Sequence, residues 1–455
     1  MAMTCNAAST MKRALRVIQH RGQESAGVAV FDGRIKSLKG MGLVHEVLCG
    51  REFDMLSGNV GIGHVRYSTT GTSSPENSQP IVVSTSAGEL ALGHNGDIVN
   101  ADKIRMKLQS EGWAFLTSTD SEIIVRLLAN ELTQTTDAVR AIKNTMRVLD
   151  GAYSLTVMIG GRVFGIRDPL GFRPLCIGKL QNGYAIASES AVFDILRGEF
   201  IRDVAPGEIV EITPGGFTSS RVPSPLHSAH CMFEWVYFAR PDSIVDGKEV
   251  YELRKNIGRK LAEEQPVDAD VIVAVPDSGR GHALGFSEKS GIKYEEGFMK
   301  NRYVERTFIL PEQNKRDEGV LLKLNPIKST VAGKRVVIVD DSIVRGTTMR
   351  KIVEMVRRAG AKEVHVRIGC PPVRAPCYYG IDMKTREQFA ATNRTVEQIA
   401  KMITADSLGY TSVKGLVEAL EISENDLCLA CLTGEYPSNV PGEKTRYQQT
   451  LEAHI

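Results

Sequence analysis

Two adjacent carboxylates, Asp340 and Asp341, follow the β-branched run Val336–Val339 and precede Ser342, Arg345, Gly346, Thr347 and Thr348. Such a run is the pattern of a strand covered on both faces, so the carboxylates stand at a strand end. Ile352, Val353 and Val356 then recur at helical spacing, and Ala359-Gly360 supplies a stop. A loop of hydroxyls and small residues at a helix N-terminus offers N–H groups and the positive dipole end to a phosphate. Paired carboxylates beside it can reach a ribose diol or a hydrated Mg²⁺. A bare Asp-Asp is more often a solvated strand end, but the whole string is more specific. A second strand-loop-helix string, Val271-Ile-Val-Ala-Val-Pro-Asp-Ser278 followed by Gly279-Arg-Gly-His-Ala, carries Asp277 and Ser278. By itself that pair serves equally well as a helix cap.

The Val336–Thr348 string resembles the phosphoribosyl pyrophosphate (PRPP) motif of type I phosphoribosyltransferases. The resemblance implies that Asp277 and Ser278 take pyrophosphate, and that Asp340, Asp341, Ser342, Arg345, Gly346, Thr347 and Thr348 take ribose and 5-phosphate. It also implies a Mg²⁺ at Ser278, Asp340 and Asp341. Between the two loops lies Phe298-Met-Lys-Asn-Arg-Tyr-Val-Glu-Arg-Thr-Phe308. Its residues Lys300, Arg302 and Arg306 read either as a solvated basic loop or as a lid that excludes water from pyrophosphate. The family lid usually has Gly where this chain has Glu305. Lys323 is a further candidate phosphate contact.

Five strings in the first half carry other chemistry: Gln19-His-Arg-Gly-Gln-Glu24, Gly63-His-Val-Arg-Tyr-Ser68, His94-Asn-Gly96, Ser118-Thr-Asp-Ser-Glu122 and Arg167-Asp-Pro-Leu-Gly-Phe-Arg-Pro174. Singly each could be a turn or a capped helix start. Together, in this order, they resemble the glutaminase domain of class II amidotransferases. Hydrolysis of an amide needs an oxyanion hole, which Asn95 and the Gly96 N–H can form. The amino-acid carboxylate suits the Arg66 guanidinium, and the ammonium suits Asp120. Family members begin with an exposed Cys-Gly whose α-amino group acts as the base. Here the spacing from Gln19 places that cysteine, and the strand behind it, upstream of Met1. Cys5 is followed by Asn6 and lies too close to the motif. The expectation is a sequence missing its first residues; a glutaminase half without a nucleophile is the alternative.

Cys428-Leu-Ala-Cys431 has the spacing that lets neighbouring thiolates share a metal centre, with Cys231 and Cys377 contributed from distant segments. Spacing alone leaves Zn²⁺ and an iron–sulfur cluster level. Cys231-Met-Phe-Glu-Trp-Val-Tyr-Phe-Ala-Arg-Pro-Asp-Ser243 and Pro376-Cys-Tyr-Tyr-Gly-Ile-Asp382, with the terminal Cys-Leu-Ala-Cys, resemble the iron–sulfur branch of the glutamine PRPP amidotransferase family. That resemblance implies a structural [4Fe–4S] cluster on Cys231, Cys377, Cys428 and Cys431. Cys49, Cys176 and Cys370 read as core thiols.

Positioning these residues needs two domains. Residues 1–225 alternate short apolar runs with Gly-rich turns (Ala26–Phe31, Val60–Val65, Leu90–Gly93, Ser154–Ile159, Arg162–Ile166, Gly183–Ala187, Glu208–Ile212) around helices at Ala101–Glu111 and Asp120–Leu132. The expected fold is an α+β, four-layer N-terminal-nucleophile glutaminase domain. Segment 212–230, with its prolines and Gly-Gly, reads as a linker. Residues 226–455 alternate strands and helices as in an α/β type I phosphoribosyltransferase domain. The net charge of +2 over 455 residues gives no case for nucleic acid or anionic membrane as partner. No signal peptide is recognisable, so a cytoplasmic setting is expected, with the 8 cysteines as thiols or ligands rather than disulfides.

The whole resemblance implies an enzyme that makes 5-phosphoribosylamine, pyrophosphate and glutamate from PRPP, glutamine and water, the first step of purine synthesis. It further implies purine-nucleotide inhibition and a homotetramer. An ammonia-only transferase and a non-enzymatic PRPP or purine sensor are the alternatives.

Overall fold

The computed structural model describes residues 2–3, 7–67, 71–85, 88–213, 215–301 and 324–445. Alternation along Ser25–Phe31 sets the layering of the first half. Ala26, Val28 and Val30 pack under the helix Ala7–Val17, a helix not anticipated from sequence. Ala29 faces the other way, onto Ile62, Ala91, Met158 and Val163. Ala29 and Ile62 belong to one sheet, and Ala91, Met158 and Val163 to another. One sheet has 7 strands in the order Glu199–Asp203, Cys176–Leu180, Gly183–Ala187, Ala2–Met3, Val60–Arg66, Ser25–Phe31, Ile35–Met41. The other has 6, in the order Gly216–Arg221, Glu208–Thr213, Arg162–Arg167, Gly151–Ile159, Gly88–Ile98, Ile81–Thr85. On its outer face Leu90, Leu92, Leu155 and Val157 pack under the helices Ala101–Ser110, Asp120–Gln134 and Ala138–Val148. The result is helix, sheet, sheet, helix: the four-layer arrangement expected.

Three expectations need correction. Where no strand was foreseen at the N-terminus, Ala2–Met3 pairs antiparallel with Gly183 and Tyr184 and with Val60. The segment read as linker contains the strand Gly216–Arg221, hairpinned onto Glu208–Thr213. Phe217 anchors it, with its ring 5.9 Å from that of Tyr184 and under Arg202. Cys49 is exposed rather than core, because it precedes the short surface helix Gly50–Asp54, and its thiol donates to the Glu46 carbonyl at 2.9 Å.

In the second half, Val271–Ala274, Arg335–Asp340, Glu363–Ile368 and Ser407–Tyr410 pair in parallel, in that order. Val337 and Val339 face Leu261 and Phe286 on one side. Val336 and Ile338 share a core with Ile352, Val353 and Val356 of the helix Thr347–Arg358 on the other. Double coverage is why the run is apolar throughout. Cys176 and Cys370 are buried core residues, as expected.

A buried ion network joins the halves. Arg21 donates to both oxygens of Glu234, at 2.9 and 2.8 Å, and to Glu189 at 2.6 Å. Arg173 donates to Glu234 at 3.0 Å, and His20 lies 2.7 Å from Glu189. Burial would raise the Glu189 carboxyl from 4.5, but Arg21 and His20 outweigh it and hold it far below. The unfolded chain therefore takes up the proton first as pH falls. Glu189 contributes fully above its unfolded value of about 4.5, and that contribution drains away at lower pH. Glu189→Gln should cost about 1.5–3 kcal/mol at neutral pH, since Arg21 keeps Glu234 but loses its second charged partner, and should flatten the acid slope of stability. Urea unfolding across pH, followed by tryptophan fluorescence, checks both; a variant with the parent's midpoint at neutral pH would refute the assignment.

Candidate functional site

The strand Gly88–Ile98 turns the third string into the floor of a cleft. The Asn95 side-chain nitrogen is buried with no hydrogen-bond partner, a donor held in readiness for an acceptor that is not protein. Gly96 follows at φ 149°, where a Cβ would strike the Ala152 carbonyl at 1.9 Å, so only glycine fits. His94 is fixed behind them by the Ser121 hydroxyl at 3.2 Å and the Ala152 carbonyl at 3.3 Å.

Asp120 opens the helix Asp120–Gln134, capped by Thr119, and its Oδ2 accepts from the Ile98 N–H at 3.0 Å. Burial works against its charge, but His94, 3.7 Å away, and the Ile98 N–H keep it below the usual carboxylate range. Arg66, at the end of the strand Val60–Arg66, donates to Glu24 at 2.9 Å and feels Asp120 as well. Cation and anion thus stand side by side as an amino acid's two charged ends require. Desolvation, with His94 and Arg66, pushes His64 down to about 3, so that this imidazole is neutral. Glu24 and His64 belonged to recognised strings but were given no role from sequence. Cys5 and Ser68 lie outside the described residues.

The second constellation forms at the strand ends of the parallel sheet. The Ser278 hydroxyl donates to Asp341 at 2.5 Å, and Ser342 donates to the other Asp341 oxygen at 2.6 Å. The two loops expected to share a crevice are therefore joined through Asp341, which is turned inward. Burial and the Asp341 charge push Asp340 well above the usual carboxylate range. Gly346, at φ 82°, ends the loop, and Thr347 starts the helix Thr347–Arg358. Its first amides stand at one corner with the exposed Arg345, Thr347 and Thr348, an arrangement that can receive an anion. Lys300 lies 2.5 Å from Asp277, which also pairs with Arg280 at 3.2 Å. Asp277 and Ser278 border a side cavity of about 290 Å³ rather than the main one. Arg302, Glu305, Arg306 and Lys323 lie outside the described residues.

One cavity of about 1800 Å³ spans both constellations. Its walls include Arg66, Asn95, Gly96 and Asp120 at one end, and Asp340, Ser342, Arg345, Gly346, Thr347 and Thr348 at the other. No cysteine lines it among the described residues. Gly380 closes the contact between the halves: a Cβ there would lie 2.9 Å from the Gly96 Cα. No sequence signal marks Gly380 apart from its place in the Cys377 string.

The thiols gather beside this contact. Cys231 and Cys428 are in register on a two-stranded parallel ribbon. The Cys431 carbonyl accepts from the Arg374 and Ala375 N–H groups at 2.9 and 3.0 Å, which ties it to the loop bearing Cys377. None of the described cysteines is disulfide-bonded. Burial pushes Cys231 up to about 11 and Cys428 and Cys431 further, and all three lie close enough to Cys377 to feel its charge. Among the described residues, no three His, Cys, Asp or Glu side chains are arranged to hold a single metal ion. No described helix is long and apolar enough to cross a membrane.

Comparison with known proteins agrees with both constellations. A glutamine amidotransferase domain family matches residues 64–194, and a phosphoribosyl transferase domain family matches 243–377. The chain is 53% identical to an amidophosphoribosyltransferase of Methanocaldococcus jannaschii, over 96% of each chain. It is 51% identical to one from Archaeoglobus fulgidus, over 94% of each. Among solved structures, the glutamine PRPP amidotransferase of B. subtilis complexed with ADP and GMP superposes with a TM-score of 0.90 at 42% identity, covering 98% of each chain.

The Gly380–Gly96 contact is testable by adding one carbon. Gly380→Ala should displace the oxyanion glycine and lower glutamine hydrolysis by about 10–100-fold, since misplacement of about 1 Å can cost that much. Glutaminase kinetics check it, and a variant with parental hydrolysis would show that the contact does not hold Gly96 in place.

Proposed function

The chain belongs to the amidophosphoribosyltransferase family, and from that premise we propose that it takes nitrogen from glutamine in its first half and places it on PRPP in its second. Glutamine and water give glutamate and ammonia. Ammonia then forms a C–N bond at ribose C1 as the C–O bond to pyrophosphate breaks, leaving 5-phosphoribosylamine for purine synthesis. The observation that carries this reading is the single cavity lined by both constellations. Closure of that cavity over the substrates would keep ammonia from being lost to protonation in bulk water.

Arg66 and Asp120 orient the glutamine ends, while the Asn95 amide and Gly96 N–H face the oxyanion that develops at its side-chain carbonyl. The attacking thiol has no candidate among the cavity-lining described residues. Asp340 and Asp341 hold the ribose, and the amides and hydroxyls of Ser342–Thr348 hold its phosphate. Asp277, Ser278 and Lys300 face the pyrophosphate, with Arg302 and Arg306 as lid residues.

A Mg²⁺ at Ser278, Asp340 and Asp341 fits the displaced Asp340 carboxyl, which needs either a proton or a nearby cation. Such an ion supplies charge neutralisation on the leaving pyrophosphate, and it takes only one or two protein carboxylates beside substrate oxygens. Cys231, Cys377, Cys428 and Cys431 suit a [4Fe–4S] cluster better than Zn²⁺. All four are thiols packed around one apolar core, and the resemblance of their strings to the iron–sulfur branch favours the cluster. The ADP and GMP on the B. subtilis relative support purine-nucleotide inhibition here; a homotetramer in the cytoplasm completes the reading.

PRPP-dependent pyrophosphate release, with ammonia and then with glutamine as donor, tests this. Activity with both is expected, and EDTA should abolish it. Asp340→Asn should lower ammonia-dependent kcat/KM by roughly 10²–10³-fold. Release with ammonia alone would assign an ammonia-dependent transferase, and release with neither would overturn the reading. Separately, Asp120→Asn should raise the glutamine KM by roughly 10–100-fold, the worth of one charge-assisted hydrogen bond, and leave the ammonia reaction unchanged. Steady-state kinetics with each donor separate these outcomes.

A further inference from the structure

Arg173 lies in the glutaminase half, in the string that begins at Arg167, yet its side chain points across the boundary. Only 1% of it is exposed. Its Nε donates to the Tyr379 carbonyl at 3.1 Å, and its Nη1 donates to Glu234 at 3.0 Å. Its Nη2 is buried and has no partner. A buried guanidinium N–H left unsatisfied keeps its full desolvation penalty, so the position calls for an acceptor.

The surroundings say which acceptor. The Cys231 N–H donates to the carbonyl of Phe172, the residue before Arg173, at 3.1 Å. The Phe172 ring stacks on that of Tyr379 at 4.1 Å, and the Tyr379 N–H approaches the Cys377 sulfur at 3.4 Å. The guanidinium is thus wedged between the segments that present Cys231 and Cys377, and both thiols act on it electrostatically. Its backbone is fixed from the other side: the Arg173 carbonyl accepts from Ser154 at 2.9 Å, and Ser154 is in register with Asn95.

We propose that Arg173 is a positioning residue that donates through Nη2 to the sulfur face of the cluster held by Cys231, Cys377, Cys428 and Cys431, so that the cluster clasps the glutaminase half as well as stapling the C-terminal segment. This rests on the cluster reading above. A cationic donor stabilises the more negative, reduced cluster, and hydrogen bonds to the sulfurs are among the terms that set a cluster's potential.

The experiment is a redox titration of anaerobically purified, cluster-loaded full-length protein, followed by EPR and absorbance, for the parent, Arg173→Gln, Arg173→Lys and Glu234→Gln. Iron and acid-labile sulfide are measured first. At a fixed poise, Arg173→Gln should lower the reduced-to-oxidised ratio about tenfold, which is 59 mV for a one-electron couple. Arg173→Lys, which keeps the charge, should recover part of that shift. Glu234→Gln removes a negative charge that acts on Cys231 and should shift the potential upward, opposite to Arg173→Gln. If Arg173→Gln and Arg173→Lys both titrate with the parent's potential and EPR signals, the contact is overturned and the cluster reading stands. A parent without iron and sulfide would overturn the cluster reading and this inference with it.

Discussion

Glu234 is the charge on which the two halves depend. It is 1% exposed and accepts from Arg21 and Arg173, both contributed by the first half. Desolvating such groups costs several kcal/mol per ion, and their attraction returns that only when the geometry is good and the remaining lone pairs are used. Here they are nearly all used: Arg21 bridges Glu234 and Glu189, and Glu189 also accepts from the Arg240 N–H and the Ser243 hydroxyl. A network of this kind contributes register more than net stability. A shift of the second half by one residue would leave Arg173 buried without an anion and Arg21 with Glu189 alone. The relative placement of the two sites is therefore fixed by charge, while the surrounding core, from Phe172 to Trp235 and Tyr436, fills the space around it.

That register reaches the chemistry by short steps. Arg21 precedes Gly22, where a Cβ would meet the Val65 and Arg66 backbone at 2.4–2.6 Å, and Glu24 then pairs with Arg66. Arg173 holds the Tyr379 carbonyl, and the next residue, Gly380, abuts Gly96. Arg66 and Gly96 are thus each set by a backbone contact adjacent to the same buried network.

Much of this was legible in the sequence, for identifiable reasons. Val336–Val339 could be read because a strand covered on both faces must be apolar at every position. The corner after it could be read because a helix start needs small and hydroxyl residues near an anion. The alternating runs of the first half placed seven of its strands approximately, but missed Ile35–Met41, Ile81–Thr85, Cys176–Leu180 and Glu199–Asp203. What escaped depends on distant partners. Arg173 in a Gly-Phe-Arg-Pro string has no local mark of burial; its partner Glu234 lies 61 residues away. Gly380 matters only because Gly96 sits opposite. The strand Gly216–Arg221 was hidden by prolines at its borders and by Ser219 and Ser220, since its anchor is one ring, Phe217, on Tyr184. Cys49 was misread because an apolar neighbourhood in sequence does not reveal which way a short surface helix faces.

The two ends of the cavity are provisioned in opposite ways, which bears on how they act together. At the glutamine end every charge has a protein counterpart: Arg66 with Glu24, and Asp120 with His94 and the Ile98 N–H. That end is electrostatically complete when empty, and an incoming zwitterion gains only by sharing partners already in place. At the other end Asp340 and Asp341 are adjacent, and Asp340 is held far above its usual range by burial and by its neighbour. Two carboxylates so placed relax only when a proton or a cation arrives. The end bearing Asp340 and Asp341 therefore calls for a counter-charge from outside the protein, while the end bearing Arg66 and Asp120 supplies its own. The two ends also meet through backbone, where Gly380 abuts Gly96.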